Sequence, residues 1–134
     1  MAEVTNISAV SREFADDETG DRIEKWPDLP PGVIVYEING PFFFGAAEKF
    51  KDTVDTISAK PRVLILRMRN VPAIDSTGLN ALRGLIRRAR HDGTRVLIAE
   101  VHAQPMIALG RSYLLDEIGE DNLFGSLNDA LAAV

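Results

Sequence analysis

Not one of the 134 residues is a cysteine. A disulfide framework, a thiolate zinc site and a cysteine nucleophile are thereby excluded, and the chain suits a reducing compartment such as the cytosol. Histidine is nearly as scarce. His91 and His102 are the only two, their spacing matches no metal-binding pattern, and each reads as a surface or capping residue. Neither a Gly-x-Ser-x-Gly elbow nor a phosphate-binding P-loop occurs, so nucleophile, base and metal do not assemble into a catalytic set. The expectation is a chain that binds rather than catalyses, with no catalytic residue, no metal and no cofactor. Long apolar runs are missing too: none approaches the roughly 20 residues that cross a bilayer. The polar start Met1-Ala2-Glu3-Val4-Thr5-Asn6 lacks the basic and apolar regions of a signal peptide. The chain itself reads as soluble.

What is present suits one compact domain. Hydrophobic residues make up 46% and charged residues 26%, ordinary for a globular fold, and a mass of 14.7 kDa suffices for one core but not two. The net charge of -5 is unevenly placed. Residues 1–31 hold eight acids (Glu3, Glu13, Asp16, Asp17, Glu18, Asp21, Glu24, Asp28) against three bases (Arg12, Arg22, Lys25), while the remainder carries twelve of each. Residues 1–22, with Asp16-Asp17-Glu18-Thr19-Gly20-Asp21, therefore read as an acidic linker or leader, and residues 23–134 as the folded domain.

Within that body the periodicity alternates. Val33-Ile34-Val35-Tyr36-Glu37-Ile38 is a β-branched run bounded by turn residues, and reads as a strand. Ala46, Ala47, Phe50, Val54 and Ile57 recur at helical spacing. Val63-Leu64-Ile65-Leu66 and Val96-Leu97-Ile98-Ala99 are continuously apolar, as expected of strands covered on both faces. Between them Leu79, Leu82, Leu85, Ile86 and Ala89 form the apolar stripe of a helix whose other side bears Arg83, Arg87, Arg88 and Arg90. Pro105 suits the first turn of a further helix running towards Leu114-Leu115, and a short last helix is expected over residues 126–133. Strands alternating with helices favour an α/β fold with mainly parallel pairing; the first and last strands cannot be placed this way.

Two loops carry the candidate chemistry, each joining the carboxyl end of a strand to the start of a helix, where open α/β sheets bind ligands. In Asn70-Val71-Pro72-Ala73-Ile74-Asp75-Ser76-Thr77-Gly78-Leu79, Asp75 or Ser76 can cap the helix and Gly78 permits a close backbone approach. A phosphate on Ser76 or Thr77, or an anion or nucleotide held without a covalent bond, would meet the positive end of the helix dipole there. A purely structural cap is the plainer account of the same residues. In Gly40-Pro41-Phe42-Phe43-Phe44-Gly45 three consecutive phenylalanines cannot all point inward from so short a loop, so at least one should face solvent, unless all three plug the sheet edge.

Asp75-Ser76-Thr77-Gly78-Leu79 resembles the signature of STAS domains, shared by anti-sigma-factor antagonists and the carboxyl-terminal domains of sulfate transporters. The stretch from Val35 through Phe42-Phe43-Phe44-Gly45 to Glu48 looks like the strand, aromatic loop and first helix of the transporter (SulP) branch. The resemblance implies a STAS fold: a central, mostly parallel β-sheet with helices packed mainly on one side. It also implies a place on the cytoplasmic side of the inner (plasma) membrane, as the regulatory or interaction domain of an integral anion transporter, with Met1 not the natural start. The partner would then be the transmembrane domain of the same polypeptide, with a cytosolic protein or a nucleotide as further candidates and an anion such as sulfate carried by the parent transporter. By the same resemblance Thr77 holds the antagonist phosphoacceptor position, and Ser76 is its neighbour. Phe42, Phe43, Phe44, Gly45, Asp75, Ser76, Thr77 and Gly78 together form the expected binding loop. The alternative is a free-standing antagonist switched by Ser/Thr phosphorylation.

One further feature invites a nucleic-acid reading. Residues 60–95 hold nine bases and two acids. The overall pI of about 5.0 argues against a nucleic-acid partner. A basic face for protein or lipid headgroups and a merely solvated helix face both remain open.

Overall fold

The structure is a computed structural model that describes residues 6–11, 29–55 and 60–134. Its elements are β1 (Asn6–Ser11), β2 (Val33–Asn39), α1 (Phe44–Asp55), β3 (Val63–Asn70), α2 (Ser76–His91), β4 (Arg95–Ala99), α3 (Ala103–Arg111), α4 (Leu114–Ile118), β5 (Leu123–Phe124) and α5 (Leu127–Ala132), with a 3-10 turn at Glu120–Asn122. The strands lie in the order β1-β2-β3-β4-β5, β1 antiparallel to β2 and the other four parallel. Strand order advances steadily in one direction, so right-handed crossovers place every connecting helix on the same face. The α/β fold with helices mainly on one side is therefore as expected.

The continuous apolar runs serve two cores. Ile34, Tyr36 and Ile38 of β2, Leu64, Leu66 and Met68 of β3, and Val96 and Ile98 of β4 pack against α1 to α4. The alternate residues Val33, Val35, Val63, Ile65, Leu97 and Ala99 meet Leu29 and, from α5, Leu127 and Ala130. A strand buried on both sides has no polar face to show, which is why these runs do not alternate. The six-residue α5 is short, and beyond it the second face turns ionic. Arg67 is held between Glu37 and Glu100, each at 3.2 Å, and Glu100 also accepts the Leu127 N–H at 2.8 Å. Glu100 thereby fixes the start of α5, from a left-handed backbone position (φ 65°).

Two expectations change. The single helix from Pro105 to Leu115 is two, α3 and α4, separated by Tyr113 in the left-handed region (φ 65°). On one straight helix Leu109 and Leu114 would point about 140° apart; the break lets both be fully buried. The second change concerns the expected leader. Its residues Asn6–Ser11 form β1, so the sheet begins before the expected boundary at Ile23. Asn6-Ile7-Ser8-Ala9-Val10-Ser11 carries no charge, a feature hidden when acidity is averaged over residues 1–22. The rest of that leader lies outside the described residues. No helix among the described residues is long and apolar enough to cross a membrane.

Candidate functional site

Past the ends of β2 and β3 the two candidate loops continue to pair. The Gly40 N–H donates to the Asn70 carbonyl and the Phe42 N–H to that of Ala73, both at 2.9 Å, and Phe42 and Ile74 form a parallel bridge. The Asn70 side-chain amide donates to Asn39 Oδ1 at 2.6 Å. This extra rung brings the phenylalanine loop and the Asp-Ser-Thr-Gly turn side by side. Within the first loop the three rings divide. Phe42 is fully buried, its ring edge-on to Phe50 at 5.4 Å, whereas Phe43 and Phe44 are 44% and 64% exposed.

The second loop is tied down residue by residue. Asp75 is the N-cap of α2. Its Oδ1 accepts the Gly78 N–H at 3.0 Å and the Thr77 hydroxyl at 2.6 Å. Ser76, the first helical residue, is exposed, and Thr77 is half-buried. A Cβ on Gly78 would lie 2.3 Å from the Phe42 carbonyl oxygen and 2.8 Å from Phe42 Cδ2, so glycine is what lets the first turn of α2 sit on the first loop. Gln104 of α3 holds the Ile74 peptide from the other side, accepting its N–H at 3.0 Å and donating to its carbonyl at 3.4 Å. The ring of His102 bonds the Arg69 carbonyl at 2.5 Å, fastening the end of β3, while its side chain makes no cap bond to α3. Nothing in the sequence marks Gln104, because its partner is a main-chain peptide thirty residues away.

Burial works to raise the Asp75 pKa, but the Thr77 hydroxyl and the N–H groups of Gly78, Thr77 and Asp75 outweigh it, and the carboxyl titrates below its ordinary value. A depressed folded-state pKa means stability that is present above the unfolded value of about 4 and lost as pH falls through the folded one. Asp75→Ala is expected to cost about 1 kcal/mol at neutral pH. Urea denaturation repeated at descending pH should show the wild-type advantage shrinking as the carboxyl protonates; an advantage that persists undiminished would contradict the cap.

Beside the turn, a groove of about 310 Å³ runs between α1 and α2, with Ala47, Phe50, Ala81 and Leu85 below and Phe44 and Thr77 at one end. Nothing in the sequence pattern marks this groove, because its walls come from two helices about thirty residues apart in the chain. The arginine-bearing side of α2 is neither wholly a basic patch nor wholly a solvated face. Arg83 and Arg87 instead reach Glu117 of α4 at 3.4 and 3.0 Å, and Arg83 donates to the Ser112 carbonyl at 2.7 Å. Hydrogen bonding from Arg87, then the charges of both arginines, keep the Glu117 carboxyl below its ordinary pKa despite some desolvation. Part of the stripe is therefore a clamp between helices.

Comparison with known proteins agrees with this architecture. The STAS domain family pattern matches residues 28–130. The crystal structure of a sulfate transporter family protein from Wolinella succinogenes is 42% identical, covering 80% of this chain and 88% of that one, with a TM-score of 0.75. A SulP transporter STAS domain from Vibrio cholerae is 35% identical over 78% of this chain and 82% of that one, with a TM-score of 0.68. An anti-sigma factor antagonist from Mycobacterium paratuberculosis shares the fold at 16% identity, covering 98% and 94% of the two chains, with a TM-score of 0.70. Curated relatives include sulfate transporters and a solute carrier, and the chain spans 17% to 19% of their length.

Proposed function

The chain belongs to the STAS domain family, and from that premise we propose that it is the cytoplasmic regulatory or interaction domain of a SulP-type anion transporter, acting by binding. The observation that carries this reading is the division of the three phenylalanines: Phe42 anchors the loop, while Phe43 and Phe44 stay in water beside the α2 start. Two adjacent exposed aromatic rings on a loop fastened by backbone bonds favour a contact surface. Its partner in this reading is the membrane portion of the same polypeptide, whose relatives are about five times longer than this chain. Of the expected binding residues, Ser76, Thr77 and the half-buried Asp75 supply the polar half of that surface, with Gly78 buried behind them.

The test is an immunoblot of membrane and cytosolic fractions with an antibody to this domain. A membrane-bound band several times heavier than 14.7 kDa supports the reading; a cytosolic band near that mass overturns it. In the full-length parent protein, Phe43→Ser with Phe44→Ser should lower anion uptake about tenfold at unchanged membrane abundance, the scale of an interface aromatic worth about 1.4 kcal/mol. Unchanged uptake would remove the loop from the contact.

A second reading, the free-standing antagonist, is favoured by one contact. The Thr77 hydroxyl donates to Asp75 Oδ1, so a phosphoryl group on Thr77 would replace that bond with repulsion between two anions, altering the surface without a change of fold. Detection of phosphorylated Thr77 in a cytosolic chain of this size would select this reading.

A further inference from the structure

At the opposite edge of the sheet, where α2 ends and β4 begins, lies a second cavity of about 310 Å³. Its volume falls at the lower end of ligand pockets, about 300–1,000 Å³. Ile86, Val96 and Ile118 give it an apolar side, and Arg90, Arg95 and Asn122 a polar one. The basic residues of the region 60–95 are not all alike in their partners. Arg67 faces Glu37 and Glu100, Arg83 and Arg87 face Glu117, and Lys60 faces Asp92 at 3.4 Å. Arg90 and Arg95 pair with no carboxylate among the described residues. Arg90 donates to the Glu117 carbonyl, and Arg95 to Asn122 Oδ1 and the Ala133 carbonyl, both at 3.1 Å.

We infer that this cavity binds a tetrahedral oxyanion, a phosphate or sulfate group, between the Arg90 and Arg95 guanidiniums. Each guanidinium has five N–H donors and the bonds above leave donors over on both, in the fork geometry that suits such oxygens. The apolar wall weakens screening on one side and so strengthens the attraction. The end of α2 would oppose an anion through its carbonyls, but the turn that follows consumes them: Asp92 N–H bonds Arg88 and Ala89, Gly93 N–H bonds Arg90, and Thr94 N–H bonds Ala89. No aspartate or glutamate is among the residues lining the cavity. Asp92 and Glu117 are paired as above, and neither Glu120 nor Asp121 lines the cavity. The site is independent of the Phe43 and Thr77 surface, one helix length away.

The oxyanion can be a free ion or the phosphomonoester of a lipid headgroup. The experiment therefore has two arms on the full chain: inorganic phosphate and sulfate titrated at ionic strength held constant with chloride and followed by backbone amide NMR, and cosedimentation with vesicles containing phosphatidylinositol phosphate. Saturable shifts centred on Arg90, residues 93–96 and Asn122 identify a free ion. Vesicle binding without such shifts identifies a headgroup. In whichever arm binds, Arg90→Gln and Arg95→Gln should each weaken affinity about tenfold, the loss of one charge-assisted bond. Arg69→Gln, which removes the same charge at the far edge, should leave it unchanged. Because Arg95 also holds Asn122 and Ala133, circular dichroism checks that its variant is folded, and Arg90→Gln stands alone if it is not. Binding in neither arm, persistence in Arg90→Gln, or equal loss in Arg69→Gln overturns the assignment.

Discussion

Gly78→Ala is expected to destabilise the chain by about 3 kcal/mol, the upper range for forcing a methyl group into a filled site. The sign is the informative part. Alanine is a better helix former than glycine by about 1 kcal/mol, so a helix start in open space would gain stability from this change. Here the new Cβ would lie 2.3 Å from the Phe42 carbonyl oxygen, a backbone atom that a rotamer change cannot move. Either α2 shifts outward or the first loop does, and the Phe42–Ile74 bridge resists both. Thermal denaturation should register a fall of roughly 10 °C for a chain of this size. A melting temperature unchanged or raised would mean that the first turn of α2 does not rest on the phenylalanine loop.

Phe42→Ala should cost about 4 kcal/mol, the scale of removing a buried aromatic ring and leaving its cavity. The ring is wholly enclosed and makes edge contact with Phe50, whose own ring meets Tyr36 at 5.9 Å. The comparison that gives the number meaning is Phe43→Ala, one residue on. Phe43 is 44% exposed, and its loss should stay within about 0.5 kcal/mol. Chemical denaturation of the two variants side by side tests the division of the loop into anchor and exposed pair. Equal costs would contradict it.

How far the fold was legible depended on how uniformly each segment is surrounded. β2, β3 and β4 announce themselves because both faces are apolar, and α2 because one stripe is. β3 extends to Asn70, within a residue of the end near Arg69 expected for it; what local pattern cannot show is that Arg67, inside the strand, is held by two glutamates 30 and 33 residues away on either side. β5 has two residues, too few for any period. The break at Tyr113 follows from where Leu109 and Leu114 must both point, a tertiary demand that local pattern cannot express. At the site, a cap at Asp75 or Ser76 and the close approach at Gly78 were readable because both are consequences of helix geometry; that the cap is Asp75 came only with the backbone. The second helix cap, Ser126 accepting the Asp129 N–H at 3.0 Å, sits at the expected start of the last helix for the same reason. Which phenylalanine goes inward was not readable, since three identical rings differ only in the backbone that carries them.

The rung between the two loops has a consequence for how they respond together. The Phe42 backbone is bonded to Ala73 on one side and pressed by Gly78 on the other, while its side chain is immobilised in the core. Phe43 and Thr77 are thus mounted on a common strut, and neither can be displaced without loading the other. In thermodynamic terms any coupling energy between the two positions is reciprocal. Whatever a modification at Thr77 does to a partner's grip on Phe43, that grip must do in equal measure to the equilibrium of the modification. The edge is built as one lever with two handles, so a partner seated on the rings would act as a brake or an accelerator on any change at the threonine.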